Sequence, residues 1–542
     1  MPTGSLNIVL HTHLPYCRLA GRWPHGEEWF HEAMLECYLP LLRAFRGLAA
    51  DVDGSLGVTI NVTPILAEQM GDPLMRAHFR EYLESRIQRA ADDVERFRLD
   101  LGQRHTTAEF HLRRYEAIRD FFERELRGDV LAAFRELEAS GHIEVATCAA
   151  THGYLPLLDN ESAVRFQVQT GVQSHVRNFG RQPRSFWLPE CAYKPGLERY
   201  LEEAGIKVFF VETHLVTGGH ARGKALGGVM GLYGELEPEI PIEQTAEVVG
   251  THGTTFRAYH VGDSDVAVLA RNERSGMQVW SAAHGYPGDG LYREFHKKDE
   301  RSGLHYWRVT GPRVDLGDKD LYDPEAAAGM ARQHADHFRG VVMDELAAYR
   351  AGAGEPGIVM ASYDTELFGH WWLEGVTWLE SVIRGAAADP NIELVTAGDY
   401  VTRTPVRESI ALPEGSWGSG GDHRTWLNGE TEWTWPEIRA RQDRAETLLR
   451  ATTDATKQLA RELLLLQSSD WQFLMTTGQA HDYAVERFES HRERFDRLAD
   501  AIEQQDPQLD ALVAELLELD NPFPAIDPGL YRPSPAFAQV RR

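Results

Sequence analysis

The stretch LNIVLHTH, residues 6–13, sets a short apolar run directly before two histidines, His11 and His13. Runs of the same kind recur as SLGVTINVT (55–63), HIEVATCAA (142–150), RSFWLPE (184–190), IKVFFVETH (206–214), GIVMASYDTELFG (357–369) and IELVTAGDY (392–400), with amphipathic segments between them. Strands of that length alternating with helical patterns indicate parallel βα units, and their number points to a barrel more than to a small open sheet. In such barrels catalytic groups stand where strands end and loops begin. His11, His13, Glu190 and Asp364 all fall at such ends.

Outward from these runs the pattern changes three times. Between about residues 72 and 138 it becomes charged amphipathic helix, as in RIQRAADDVERFRLDLG, and reads as a helical excursion from the barrel. Residues 215–260 are rich in Gly and Pro and poor in periodicity; a loop of that length inside a compact domain is usually functional. After about residue 400 the chain becomes mainly helical, with ATTDATKQLARELLLLQSSDWQFLM its strongest apolar stripe. The Pro-rich end, DNPFPAIDPGLYRPSPAF, is expected to lie extended over the surface. The resulting division is a catalytic region over 1–400, with its insertion and its loop, followed by a helical domain over 401–542.

Composition narrows the function classes. The chain of 542 residues is 42% hydrophobic and carries a formal net charge of -26, which would repel nucleic acid or an anionic membrane and suits a neutral substrate. The four cysteines, Cys17, Cys37, Cys148 and Cys191, lack CxxC spacing, so neither a zinc knuckle nor a disulfide framework is indicated. Without a signal-like N-terminus or an apolar run near the roughly 20 residues a membrane helix needs, the expected compartment is the cytoplasm. Aromatic residues make up 10% of the chain, and several cluster with Gly and carboxylates. Aromatic faces that stack on pyranose rings, beside carboxylates that bind hydroxyls, are a common lining for a sugar site.

Two constellations can carry chemistry. WLPECAY (187–193) places Glu190 after an apolar strand and between aromatics, where partial desolvation raises its pKa or readies it as a nucleophile. SYDTELFGHWW (362–372) places Asp364 and Glu366 after the strand GIVMA and before His370. Carboxylates from two strand ends are the apparatus of glycoside cleavage, one attacking the sugar carbon and one protonating the leaving oxygen. Cys191 reads as packing. The histidines of HTH project to one side of their strand, so three readings stay open for them: a shared metal completed by Asp364, a sugar contact, or hydrogen-bonded polar groups near the barrel axis.

The motifs HTHLPY, ATHGYLPLL (150–158), WLPECAY and YDTELFGHWW occur in the order and spacing of glycoside hydrolase family 57, and the chain resembles that family over nearly its whole length. WGSGGDHRTWLN (417–428) and SDWQF (469–473) resemble its branching-enzyme branch. The resemblance implies a (β/α)7 barrel, distorted from the eight-stranded form, with an inserted helical subdomain and a C-terminal α-helical domain that contributes to a glucan groove. It implies retaining cleavage of α-1,4-glucan without a metal or other cofactor. Residue by residue, Glu190 matches the nucleophile and Asp364 the acid/base; His11, His13 and His152 match sugar contacts. Arg271 and Gly288 match glucan contacts, Trp280, Trp417 and Trp426 resemble stacking tryptophans, and Asp470 resembles a substrate contact of the C-terminal domain. Members of that branch carry a mobile loop with a tyrosine over the site; Tyr233 is the tyrosine that 215–250 offers.

The activity so implied is 1,4-α-glucan branching: transfer of a cleaved chain to a 6-hydroxyl. An α-glucan hydrolase or a 4-α-glucanotransferase on the same scaffold is the nearest alternative, since the choice rests on the acceptor site and on water exclusion and not on the two carboxylates. A metal-dependent hydrolase using His11, His13 and Asp364, and a catalytically silent glucan-binding protein, are the more distant ones.

Overall fold

The computed structural model describes residues 2–99, 102–218, 230–231, 234–235, 253–280, 285–311 and 313–534. The strands of its main sheet are β1 (Gly4–Thr12), β2 (Val58–Val62), β3 (Ile143–Cys148), β4 (Ser185–Trp187), β5 (Val208–Val211), β6 (Tyr259–Val261), β7 (Ala267–Ala270), β8 (Gly357–Asp364), β9 (Ile392–Leu394) and β10 (Ser409–Ile410). Their order is β8-β1-β2-β3-β4-β5-β7-β6-β10, with β9 also paired to β1. All pairs from β8 through β7 are parallel. The Asn272 amide, just past β7, donates to the Met360 carbonyl of β8 at 2.9 Å and brings the sheet's two ends together. The result is the expected distorted (β/α)7 barrel.

Every residue of β1, β2 and β3 is buried, as a parallel sheet covered on both faces requires. Register then places the chemistry. His11 of β1 lies opposite Asn61 of β2 on one side and Asp364 of β8 on the other.

Residues between β2 and β3 form helices Pro73–Arg96, Gln103–Asp120 and Val130–Ala139. They dock on the segment after residue 285 through His111 Nε2 to the His305 carbonyl (2.8 Å) and the Tyr306 hydroxyl donating to Asp93 (2.7 Å). Of the stretch 215–260, the beginning closes the helical turn Thr213–Thr217 and the end is strand β6. Tyr233 lies outside the described residues.

The apolar stripe is helical, as expected, and forms two helices, Asp454–Leu466 and Ser469–Thr477. The first starts at a reciprocal Thr453–Thr456 cap. It ends because the Ser469 amide donates to the His152 carbonyl (3.0 Å) instead of to its own helix, while the Ser468 hydroxyl donates to Asp470 (2.5 Å). The Pro-rich end is not a surface strap: Phe523, Ile526 and Tyr531 are buried. Arg165 donates to the Leu530 carbonyl (2.7 Å) and the Tyr531 hydroxyl to that of Gln442 (2.9 Å), which binds this segment between the barrel helix Glu161–Phe179 and the helix Thr434–Leu448.

Candidate active site

The strand ends of β1, β2, β4 and β8 meet the break between the two C-terminal helices. Alternation along β1 sends His11 and His13 to the same side, and the equivalent positions of β2, Asn61 and Thr63, meet them. His11 Nδ1 lies 2.7 Å from Asn61 Oδ1 and His13 Nδ1 lies 3.1 Å from Thr63 Oγ1. Across the barrel mouth His13 Nε2 reaches Asp470 (3.0 Å). His152 completes the group, its Nε2 at 3.2 Å from His11 Nε2 and its ring stacked on His13 at 3.9 Å. His11 is also stacked on Trp187, 4.6 Å away and nearly parallel to it at 8°.

Glu190 follows β4 on a backbone at φ 61, and its neighbour Cys191 is at φ 47; His152 is at φ 58. Non-glycine residues in the left-handed region cost free energy, and their concentration around one carboxylate is typical of functional sites. The turn aims the Glu190 side chain at Trp417, whose Nε1–H donates to Oε2 at 2.7 Å, and at Ser469, whose hydroxyl lies 3.0 Å from Oε1. The Trp417 amide donates to the Glu190 carbonyl as well (3.1 Å). His152 Nδ1 stands 3.7 Å from Oε1.

Asp364 is the last residue of β8, and the turn that follows buries Glu366. Glu366 Oε1 accepts from the Tyr38 hydroxyl (2.5 Å) and from the His13 amide (3.2 Å). Burial pushes its carboxyl up to about 8, the Tyr38 bond opposes this and Asp364 adds to it. The turn closes at Gly369, φ +99, where a side-chain carbon would stand 2.0 Å from the Glu36 carbonyl. Only glycine fits so close an approach. Beside it Glu36 binds His370 Nδ1 (2.7 Å).

Electrostatically His13 and His152 differ. Burial pulls His13 down, but Asp470, through its charge and its hydrogen bond, with Glu190 and Glu366 behind it, leaves it raised. His152 is held well below the ordinary range by burial and by His13 and His11. A raised and a depressed imidazole within stacking distance place positive charge at the Asp470 side of the mouth.

The outer residues are placed less uniformly. Arg271 is buried and paired with Glu212 (2.6 Å), and its Nη1 has no hydrogen-bond partner among the described residues. Trp280 ends the helix Glu273–Trp280 and donates to the Ser362 carbonyl of β8 (3.4 Å). Trp426 is 1% exposed, stacked on Tyr154 at 4.4 Å and pressed against Gly418. This packing does not offer the open face expected of a sugar-stacking ring; it anchors the loop that carries Trp417. Gly288 closes the short turn Tyr286–Gly288, where Tyr286 binds His337 (2.7 Å), and among the described residues no hydrogen bond ties it to the carboxylates.

Sequence reasoning missed Asn61, Thr63, Tyr38 and Ser469. The first two had a signal, because N-x-T in one strand matches H-x-H in its neighbour with the same alternation. Tyr38 had none, since nothing near it in the chain marks it, whereas Ser469 opens the SDWQF motif and was passed over for its neighbour Asp470.

Residues 7–413 match the profile of glycosyl hydrolase family 57, and residues 437–531 that of the 1,4-alpha-glucan branching enzyme C-terminal region. The chain is 42% identical to a 1,4-alpha-glucan branching enzyme of Thermococcus kodakarensis, over 97% of this chain and 78% of the relative. Among solved structures, the GH57-type branching enzyme of Pyrococcus horikoshii superposes with a TM-score of 0.88 at 40% identity, over 98% of each chain. The alpha-amylase AmyC of Thermotoga maritima superposes with a TM-score of 0.83 at 28% identity, over 97% of this chain and 99% of that one.

Proposed function

The chain belongs to glycosyl hydrolase family 57 and is a 1,4-α-glucan branching enzyme, and from that premise we propose that Glu190 is its nucleophile and Asp364 its acid/base. The observation that carries the assignment is the hydrogen bonding of Glu190: a Trp417 N–H on one oxygen and the Ser469 hydroxyl beside the other. Donors on both oxygens favour the ionised form, which is what a nucleophile needs.

Glu190 attacks the anomeric carbon of an α-1,4-linked glucose while Asp364 gives its proton to the departing oxygen. A glycosyl ester on Glu190 and a free chain end result. Retention requires carboxyls about 5–5.5 Å apart, with no room for water between nucleophile and carbon. Asp364, now a carboxylate, takes the proton of the arriving 6-hydroxyl, and the α-1,6 bond forms as the ester breaks. Protonated Glu366 beside it adds no second negative charge at pH 7, so Asp364 can cycle between its two forms.

His11, His13 and His152 form the wall against which the reacting sugar rests, and Arg271 has a donor, unmatched among the described residues, to offer a hydroxyl. Trp280 and Trp417 stand as aromatic walls; Asp470 acts through His13. Residues 1–400 are read as the catalytic barrel, whose sheet runs slightly past that bound in β10 (Ser409–Ile410), and the rest to 542 as the helical domain that closes its mouth, because Ser469 and Trp417 reach Glu190 from beyond residue 400. The polymer substrate is read as linear α-1,4-glucan. Among the described residues no helix is long and apolar enough to cross a membrane. We read the compartment as a reducing cytoplasm on Cys17, Cys37 and Cys148, which are buried free thiols.

The test is proton NMR of amylose incubated with the enzyme, with α-1,6 anomeric signals counted against new reducing ends. Branch signals well ahead of reducing ends are expected. Reducing ends alone would make water the acceptor and the activity that of an amylase.

A further inference from the structure

Ser469 stands between two groups that compete for its single hydroxyl proton. Its side chain is fully buried, 3.0 Å from Glu190 Oε1 and 2.9 Å from His152 Nδ1. Which of the two receives the proton is decided further along the same line of contacts.

At its far end the Asn61 amide nitrogen donates to the Ala146 carbonyl (3.3 Å), which leaves the amide oxygen facing His11 Nδ1. An oxygen acceptor there places a proton on His11 Nδ1. Between His11 Nε2 and His152 Nε2, 3.2 Å apart, one proton is needed and two cannot fit. Two arrangements satisfy these contacts. If the histidine pair is neutral, His11 has its proton on Nδ1, so His152 must donate from Nε2; its Nδ1 is then bare and takes the Ser469 proton. If the pair holds one proton more, His11 donates from both nitrogens, His152 donates from Nδ1 to Ser469 Oγ, and the Ser469 hydroxyl donates to Glu190.

We propose that Ser469 is a positioning residue for Glu190, whose hydroxyl turns between the nucleophile and His152 according to whether the His11–His152 pair holds its extra proton. The inference rests on the reading of Glu190 as nucleophile. Loss of that proton to solvent turns Ser469 away, and Glu190 keeps the Trp417 bond but loses the one that fixes Oε1. Burial disfavours a charged His152, with His13 and His11 adding to the effect, so the extra charge belongs on His11. His11 is suited to it by the flat Trp187 ring beneath it and by Asp364, its register neighbour. The other titratable groups facing the relay are His13 of β1, Glu366 after β8, Asp470 from the C-terminal helix and the Cys148 thiol at the end of β3.

The device differs from an acid/base limb because it acts even when the leaving group needs no proton. The experiment therefore uses the full-length enzyme with a maltooligosaccharyl α-fluoride, whose fluoride departs with little help from Asp364, and follows kcat/KM from about pH 5 to 9. Wild type is expected to lose rate on the alkaline side. Ser469→Ala is expected to be about 10-fold slower at neutral pH, to show no alkaline loss, and to have both features restored by Ser469→Thr. A slower Ser469→Ala enzyme that keeps the wild-type alkaline limb has lost packing alone, and the proposal fails. It fails equally if Ser469→Ala matches wild type, or if wild type shows no limb. Glu190→Gln, assayed alongside, separates the two readings: turnover of the fluoride at the wild-type rate overturns the nucleophile, whereas an inactive Glu190→Gln beside an unaltered limb in Ser469→Ala overturns the relay by itself.

Discussion

Two clusters of buried histidine and carboxylate lie in this molecule, and they are built to opposite ends. In the C-terminal helices Glu462, His491 and Asp520 bring their polar atoms within 4.8 Å of one another. There Arg487 donates to His491 Nε2 (2.9 Å), which forces the histidine proton onto Nδ1, toward Glu462 Oε2 (2.9 Å). Arg494 pairs with Asp520, Gln458 donates to Glu462 (3.0 Å), and burial, with Asp520 adding to it, raises Glu462 well above its usual range. Arg487 thus leaves His491 a single tautomer. The guanidinium groups that lock it also repel a cation from a set of ligands that could otherwise hold one.

At the barrel mouth, among the described residues, no arginine performs that service for His152, the partner of His11. Their nitrogens face asparagine, serine and each other, and a serine hydroxyl can turn either way. The same residue types thus make a rigid helix clamp where arginines fix the protons, and a site with movable protons where they do not. Strain follows the second cluster: Glu190, Cys191 and His152 have left-handed backbones, whereas the first is built on ordinary helices.

The comparison can be broken most decisively at Glu190. Glu190→Gln is expected to lower chain transfer by about 10^4-fold or more while the thermal midpoint stays near that of wild type. A large fall in melting temperature would place Glu190 with the structural cluster instead.

Asp520→Ala tests the opposite assignment. Removing one partner of a buried pair leaves Arg494 uncompensated, and urea unfolding is expected to show a loss of about 3–5 kcal/mol. Activity per folded molecule should not change, because Asp520 touches nothing at the barrel mouth among the described residues.

Trp417→Phe keeps the ring and removes the N–H. A drop of about 10- to 100-fold in kcat is expected, with KM for maltooligosaccharides changed little, since a hydrogen bond to a charged group is worth about 1.5–3 kcal/mol. A change confined to KM would make Trp417 a binding wall alone.

The last comparison concerns Glu366, and its effect depends on pH. Its carboxyl moves from 4.5 to about 8 on folding, so the folded state holds a proton that the unfolded chain releases. The stability tied to that proton is complete below about pH 4.5 and is lost as pH rises through about 8. Glu366→Gln keeps an oxygen for Tyr38 and for the His13 amide and removes the titration. Its urea midpoint relative to wild type should therefore rise between pH 5 and pH 9, and a constant difference would show that Glu366 titrates as an ordinary surface acid.

What the sequence by itself determined follows from local chemistry. Apolar runs of strand length, separated by amphipathic segments, specify a parallel barrel, and residues just past those runs must lie at one rim; His11, His13, Glu190 and Asp364 were legible for that reason. The pairing of Asn61 and Thr63 with the two histidines was legible in principle, because alternation in neighbouring strands of known register is a local rule. The rest was decided by tertiary structure. Trp417 and Ser469 meet Glu190 across 227 and 279 residues of chain, and no periodicity encodes a contact of that span. The long stripe over 451–475 has the pattern of one helix, yet it breaks where the His152 carbonyl competes for the Ser469 amide, and that break delivers Ser469 and Asp470 to the site. Trp426, which the motif marks as a stacking ring, is covered by Tyr154, because side-chain exposure is a property of the packed whole. Protonation belongs to the same class: burial, with Asp364 adding to it, pushes the Glu366 carboxyl up to about 8, and although Asp364 is near in the chain, the burial exists only once the barrel closes.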